Sequence, residues 1–422
     1  MKKCRWIAAV LLLVFVCSMF TACGGGSKIL VSPDMTPTEP IDSDPLVVTD
    51  DTAVWDFSYR MLQENISDTN PVLSPISAYL ALGMVGLGAN GDTLTEFENT
   101  MGQSFQGTSA NIMQATPKWM QANEDDKVLP LSVANSVWVD ETMNPEETWL
   151  SKVNDTFTAE VYQGILSSET IKRDINKWVE KKTNSLIKEF LSEPLDADAK
   201  MALFNTIYFK GDWVNEFEKN STYKEDFTTT SAGVKQVEMM HDYGRNEFYL
   251  KNDKMDGVVM DYQNGSMAMV MLKPTAGQSV RELYESLTYE KLTSLLDSGT
   301  SENINLKVPK FEVEYDKELN ETLQNMGIRQ AFDSEQADFT SIGFTDNGLP
   351  LYISLVRQKA VVKLDEEGTE AAAVTMVVMN ECTSARPVEE PIDVFFDEPF
   401  LYMIMDMESK TPLFMGLMDD PS

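Results

Sequence analysis

The sequence predicts a mixed α+β domain in which helices pack on mostly antiparallel β-sheets. Three observations carry that prediction. Segments with helical spacing gather early in the chain, and strand-like apolar runs follow later. Asn264-Gly265 separates two of those runs as a hairpin turn would. After about residue 50 no internal repeat and no linker-like composition interrupts the 422 residues. A single large domain over 51–422 is therefore expected.

The chain opens with MKKCRWIAAVLLLVFVCSMFTAC, in which Lys2, Lys3 and Arg5 precede an apolar run and small residues lead to Cys23. This is the layout of a secretory leader over 1–23. Phe20-Thr21-Ala22-Cys23 resembles a bacterial lipobox, with Phe20 where Leu is usual. On that reading Cys23 is acylated, becomes the mature N-terminus and anchors the exported protein to a bacterial membrane. The alternative is a plain signal peptide and secretion. Residues 24–50 are rich in Gly, Pro, Ser and Asp, the composition of a flexible tether.

Within the domain, AVWDFSYRMLQENI (53–66) carries apolar residues at helical spacing. In the next segment Ser74 is placed as an N-cap and Pro75 at the first helical position, with glycines at the end. DINKWVEKKTNSLIKEFL (174–191) reads as a third, amphipathic helix. MALFNTIYFKG, DGVVMDYQNGSMAMVMLKP, NINLKVPKFEVEYD, LYISLVRQKAVVKL and FLYMIMDMESKTPLFMGLM read as strands.

Composition excludes several function classes. Lys and Arg number 34 against 67 Asp and Glu, a formal net charge of −33. Nucleic-acid binding needs clustered cations for phosphate, so no nucleic-acid partner is expected. Of the four cysteines, Cys4 and Cys17 leave with the leader and Cys23 carries lipid, so the domain has one thiol, Cys382. No disulfide forms, and no Cys₄ or Cys₂His₂ metal site is available. The sole histidine, His241, rules out two-histidine metal motifs, and no G-x-S-x-G elbow accompanies it. It reads as a surface or packed residue. GLGANG (86–91) fits G-x-G-x-x-G, but its glycines close a helix instead of following a strand. No pair of carboxylates stands out as catalytic. Neither cofactor, metal nor catalytic residue is assigned.

The stretch DEEGTEAAAVT (365–375) is the most informative. Its alanines favour a short helix, but Gly368 and the β-branched residues that follow favour an extended reading. As a strand, one face carries Thr369, Ala371, Ala373 and Thr375, all small and uncharged, and the other carries Glu370, Ala372 and Val374. Such a segment can slip between two strands and bury one face without overpacking.

With this stretch in view, the chain resembles the serpins, protease inhibitors with a mobile reactive loop, over roughly 53–421. EEGTEAAAVT (366–375) matches the family hinge, comprising Glu366, Glu367, Gly368, Thr369, Glu370, Ala371, Ala372, Ala373, Val374 and Thr375. NPVLSPISAYLALGMVGLGANGDT matches an early helix with Ser74 and Ser77, and LFNTIYFKGDWVNEF a sheet segment with Asn205 and Trp213. INKWVEKKTNSLI, VPKFEVEYDKELNETLQNMGIRQAF, ADFTSI and DEPFLYMIMDMESKTPLFMG follow in the family's order. Gln358 stands where many serpins keep a histidine near Ser74, Ser77 and Asn205, and Glu398 occupies a position usually basic or polar.

The resemblance implies a serpin fold and a suicide inhibitor, without enzymatic turnover and expected as a monomer. A protease attacks the reactive loop (about 366–396), and the cut loop inserts into the main sheet while still acylating the enzyme. Family spacing places the scissile bond at Cys382–Thr383. The loop is several residues long for the family, which makes Thr383–Ser384 a rival bond. A short apolar residue before the bond implies a target with a small or apolar primary pocket, elastase-like, subtilisin-like or papain-like. The main alternative is a non-inhibitory serpin fold that serves as a surface binding protein.

Overall fold

A computed structural model describes residues 26–32, 52–105, 131–157, 159–263, 265–275, 277–348, 351–369 and 390–422. In chain order the first elements are β1 (Lys28–Val31), α1 (Thr52–Asn65), β2 (Val72–Leu73), α2 (Pro75–Gly86), α3 (Gly91–Met101), β3 (Leu131–Asp140) and β4 (Met143–Pro145). Then come α4 (Glu147–Phe157), β5 (Glu160–Gly164), α5 (Glu169–Lys182), β6 (Met201–Phe209), β7 (Gly211–Asp212), β8 (Thr222–Thr228) and β9 (Val234–Lys251). After them are β10 (Met255–Asp261), β11 (Met267–Pro274), α6 (Val280–Ser286), α7 (Tyr289–Ser298), β12 (Thr300–Pro309), β13 (Phe311–Glu318) and α8 (Asn320–Met326). The chain closes with β14 (Gly343–Thr345), β15 (Leu355–Leu364), β16 (Gly368–Thr369), β17 (Ile392–Phe395), β18 (Phe400–Asp406) and β19 (Thr411–Met418).

Among the described residues the main sheet runs β1-β5-β3-β6-β15-β16-β7, with β13 on the other edge of β15. A second sheet runs β17-β12-β9-β10-β11-β18-β19-β2, with β8 paired to β9. A small third sheet joins β14 to β4. Most pairs are antiparallel. β15–β6, β3–β5 and β12–β17 are parallel, so both large sheets are mixed.

Local sequence explains several of these elements. α2 begins with Pro75 at its first position, where a missing N–H costs nothing, and Ser74 sits at the N-cap. The Ser74 hydroxyl does not cap the helix; its backbone serves the network described below. Every residue of α2 is buried, which explains why it shows no polar face. The helix ends at the glycines, as expected. Gly88 lies so close to Ile342 that a Cβ there would meet its Cγ1 at 2.1 Å. The hairpin expected around residue 264 is present, with β10 and β11 antiparallel from Asp261↔Ala268 to Met255↔Pro274 and Gly265 at φ +81°.

Two spans differ from the sequence reading. The third helix starts earlier, capped by the Ser168 hydroxyl, and stops at Lys182 instead of continuing to 191. Asn184 and Ser185 take φ of +49° and +65°, which no helix continues through. The apolar periodicity beyond that point is real, because Ile187, Phe190 and Leu191 pack in the same cluster as Ile171, Ile175 and Trp178. They do so from irregular chain held by Asn176, whose Oδ1 accepts from the N–H groups of Phe190 and Leu191.

The second difference lies within 24–50. Lys28–Val31 forms a strand antiparallel to β5, with Val31 buried and the Ser27 N–H and hydroxyl both donating to Asp174 of α5 at 2.9 Å. The overall composition of that stretch masks four consecutive residues, KILV, three of them strand formers. Residues 33–51 lie outside the described residues.

Candidate functional site

The site is built on β15 and the chain that leaves it. The lower part of β15 pairs in parallel with β6, from Leu355↔Ala202 to Lys359↔Thr206. Above Lys359 this pairing stops among the described residues, although β15 continues to Leu364 along β13 and β6 continues to Phe209 along β3. The two strands therefore diverge into a seam. At its top the chain turns through Asp365, Glu366 and Glu367 and re-enters as β16. There Thr369 pairs with Leu364 on one side and Gly211 on the other, and Gly368 with Asp212.

Each residue of this turn has an assigned place. The Asp365 N–H donates to the Gly368 carbonyl at 2.9 Å. The Glu366 carbonyl accepts from Phe217 N–H, and its carboxylate pairs with Lys310 at 2.8 Å. Burial opposes ionisation of Glu366, but hydrogen bonds to its carboxylate, that of Lys310 foremost, and the Lys310 charge together outweigh it and hold the carboxyl below its ordinary range. Glu367 faces the other way and pairs with Lys219. Gly368 crosses so near β7 that a Cβ would stand 2.1 Å from the Gly211 carbonyl oxygen, so no side chain fits there. The Thr369 side chain is buried against Tyr262, with 2.7 Å between their hydroxyl oxygens. Burial pushes the Tyr262 phenol well above its usual range, so it remains a neutral hydrogen-bonding group.

Trp213 anchors this corner. Its N–H donates to the Glu367 carbonyl at 2.9 Å, its indole N–H to the Asp365 carbonyl at 3.1 Å, and its ring stacks on Tyr262 at 4.5 Å. The family resemblance assigns Trp213, with Ser74, Ser77, Asn205 and Gln358, to the region where the main sheet opens. The structure places it at the hinge, Ser74 and Ser77 at the start of α2, and Asn205 and Gln358 lower in the sheet.

There, Gln358 is buried at 1% exposure and uses both amide hydrogens as well as its oxygen. Its Oε1 accepts from Ser74 N–H at 2.9 Å, and its Nε2 donates to the Ser74 carbonyl at 2.8 Å and to Asn205 Oδ1 at 3.0 Å. Asn205 Nδ2 in turn donates to Asn135. Gln358, Asn205 and Asn135 stand opposite one another on β15, β6 and β3, so one side-chain row crosses the foot of the seam and ties it to the start of α2. Ser77 is buried on the same helix, but its hydroxyl has no hydrogen-bond partner among the described residues.

Tyr262, Lys310, Lys219 and Asn135 were missed by sequence reasoning. Asn135 left one local signal, a polar residue inside the apolar strand VANSVWV. The others come from distant segments and left none. Glu370, Ala371, Ala372, Ala373, Val374 and Thr375, the bonds Cys382–Thr383 and Thr383–Ser384, and Cys23 lie outside the described residues. Among the described residues no helix is long and apolar enough to cross a membrane.

Comparison with known proteins is consistent across sequence and structure. The model of the family Serpin (serine protease inhibitor) matches residues 52–421. Alpha-1-antitrypsin-like protein GS55-MS of Ictidomys tridecemlineatus is 32% identical over 368 residues, 86% of each chain. Iripin-1 of Ixodes ricinus is 30% identical over 370 residues, 85% of this chain and 92% of its own. The crystal structure of a thermophilic serpin, tengpin, in the native state superposes with a TM-score of 0.83 at 30% identity, covering 94% of this chain and 100% of tengpin. Thyroxine-binding globulin in complex with thyroxine superposes at 0.76 with 26% identity, covering 88% and 99%. A family match over nearly the whole domain, joined to a hinge seated at the head of a parting sheet, makes this chain a member of the serpin family.

Proposed function

We propose that the chain is a suicide inhibitor of a serine or cysteine protease. The seam between β15 and β6, with β16 already lodged at its head, is the observation that carries this reading. A strand that continues from Thr369 has two edges to pair with and a small-residue face to bury between them. The alpha-1-antitrypsin-like relatives favour the same reading.

In the proposed reaction the protease nucleophile attacks the Cys382 carbonyl carbon. The C–N bond to Thr383 breaks, the Thr383 amine leaves with the proton lost by the nucleophile, and the Cys382 acyl group remains bonded to the enzyme. The loop from Glu370 onward then inserts along the seam and carries the acylated protease with it before water can hydrolyse the bond. Thr383–Ser384 is the second candidate bond. Cys382 is short and apolar, which points to an elastase-like, subtilisin-like or papain-like primary pocket. The native state is metastable on this account and persists by a kinetic barrier. Acylation at Cys23 belongs to the same proposal and places the inhibitor on a bacterial cell surface as a monomer. Mass analysis of the N-terminal peptide after detergent extraction tests it directly; an unmodified Cys23 or a different mature N-terminus contradicts it.

Inhibition is tested by mixing the chain with a panel of serine and cysteine proteases. Complexes resistant to SDS are expected, and the mass of the released C-terminal fragment identifies the bond. Loop cleavage without any complex across the panel would contradict trapping. It would favour a non-inhibitory binding role, of the kind that the thyroxine complex shows for another protein of this fold.

A further inference from the structure

The edge strand β1 is short, yet it is fixed to the body in three ways. Its backbone pairs with β5, Val31 is buried in the core, and Ser27 just before it donates twice to Asp174 of α5. Only Gly24, Gly25 and Gly26 lie between Ser27 and Cys23. Fully extended, the chain from Cys23 to Ser27 spans at most about 14 Å. The headgroup layer of a bilayer takes roughly 5–7 Å of that reach. Acyl chains on Cys23 would therefore bring Ser27, and the side of α5 that holds it, against the bilayer surface. The anchor acts through three glycines and not through the whole of 24–50.

That side of α5 carries the charge such a surface attracts. Arg173, Lys177 and Lys181 recur at every fourth position and form one stripe beside Asp174. All three are exposed, and among the described residues none is paired with a carboxylate; Arg173 bonds only the Thr170 hydroxyl. The nearby acids are largely engaged. Glu169 pairs with Lys172, Glu160 with Lys182, and Asp174 accepts from Ser27, while Glu180 sits across the stripe from Asp174. Lys177, Lys181 and Ser27 line one cavity of about 230 Å³, so the stripe and the point where the chain enters are neighbours. Ile29, two residues beyond Ser27, and Ile165, next to the Gly164 that packs on Ser27, are 47% and 41% exposed. They supply apolar contact at the headgroup boundary. The net charge of −33 repels anionic lipid from a distance. Salt screens charges beyond about 10 Å, so the groups at contact decide.

We infer that the stripe Arg173, Lys177 and Lys181, with the exposed isoleucines beside Ser27, is the membrane-facing side of the anchored protein, and that its partner is the anionic headgroup surface of the bilayer that holds Cys23. The inference rests on acylation at Cys23, proposed above, and adds which side of the domain meets the lipid. The acyl chains supply attachment. The cations orient the domain, because each gains by reaching the anionic surface while the acidic remainder of the protein is turned away from it.

The test takes the full acylated chain and compares lysine acetylation rates, residue by residue, in detergent, on phosphatidylcholine vesicles and on vesicles that also contain phosphatidylglycerol. Lys224 and Lys251, exposed on the second sheet, are the internal reference. Lys177 and Lys181 are expected to label severalfold more slowly on the phosphatidylglycerol vesicles than in detergent, and to be less protected on phosphatidylcholine alone. The reference lysines are expected to label alike in all three. Equal protection on both kinds of vesicle overturns the anionic headgroup as the partner. Lys177 and Lys181 labelling as fast on vesicles as in detergent, or all four lysines protected alike, overturns the orientation. The mass of the N-terminal peptide is read first. An unmodified Cys23 overturns the anchor and this inference with it, a failure visible before any vesicle is added.

Discussion

Thr369 lies between two strands, 2% exposed, with its hydroxyl bonded to Tyr262 and stacked indole and phenol rings behind it. An arginine there must either bury an unpaired charge or withdraw the hinge from the sheet, and both slow insertion. Thr369→Arg is expected to yield cleaved inhibitor in place of covalent complex, with stoichiometry rising severalfold in an SDS gel assay. Glu370→Gln, on the opposite face when the sequence is read as a strand, is expected to change stoichiometry little. Lower in the sheet, Gln358→Ala would strand the Ser74 N–H and Asn205 Oδ1, while the Ser74 carbonyl keeps only Ala78 N–H. A loss of about 2–3 kcal/mol follows from leaving buried groups unsatisfied, readable as a lower denaturant midpoint. At this scale the sequence was informative where a residue's own type mattered. Gly368, Thr369 and the amide of Gln358 could all be read. That Trp213 serves the hinge, and that Tyr262 faces Thr369, depends on which strands meet, which no local pattern contains.

Among the elements, the turn from β15 into β16 is held by Glu366 and Lys310, and its pH dependence has a definite sign. Glu366 is held below its ordinary value in the fold. Its contribution is therefore complete above the unfolded value, about 4.3, and is lost as pH falls through the lowered folded value. In Lys310→Met the strongest of the groups that lower the carboxyl is gone, and its value rises towards the ordinary range. That variant is expected to be less stable at neutral pH and to recover part of the loss on acidification, measured as denaturant midpoint from pH 4 to 7. A midpoint with the native pH profile would contradict the role given to Lys310. The edge strand β1 depends on the two bonds from Ser27 to Asp174. Asp174→Ala is expected to expose residues 26–32 to limited proteolysis, mapped by mass spectrometry. Elements with strong local signals were legible: α1, α2 and the β10–β11 hairpin. β1 was hidden because the short apolar run Ile29-Leu30-Val31 sits in a stretch of Gly, Pro, Ser and Asp. The end of α5 was overrun because Ile187, Phe190 and Leu191 keep the apolar spacing after the backbone has left the helix.

For the whole molecule, a sheet that closes below Lys359–Thr206 and parts above it is incomplete in the way the inhibitor reading requires. One face of the strand that would complete it is small and uncharged from Thr369 to Thr375. On the proposed mechanism, stability is withheld from the native state until the loop is cut, and the energy of completing the sheet moves the protease. The comparison that tests this most directly is the melting temperature of the intact chain against the same chain cleaved once in the loop by a catalytic amount of protease. The account predicts a marked rise in melting temperature on cleavage, abolished by Thr369→Arg. A cleaved chain that melts at or below the temperature of the intact one would contradict it.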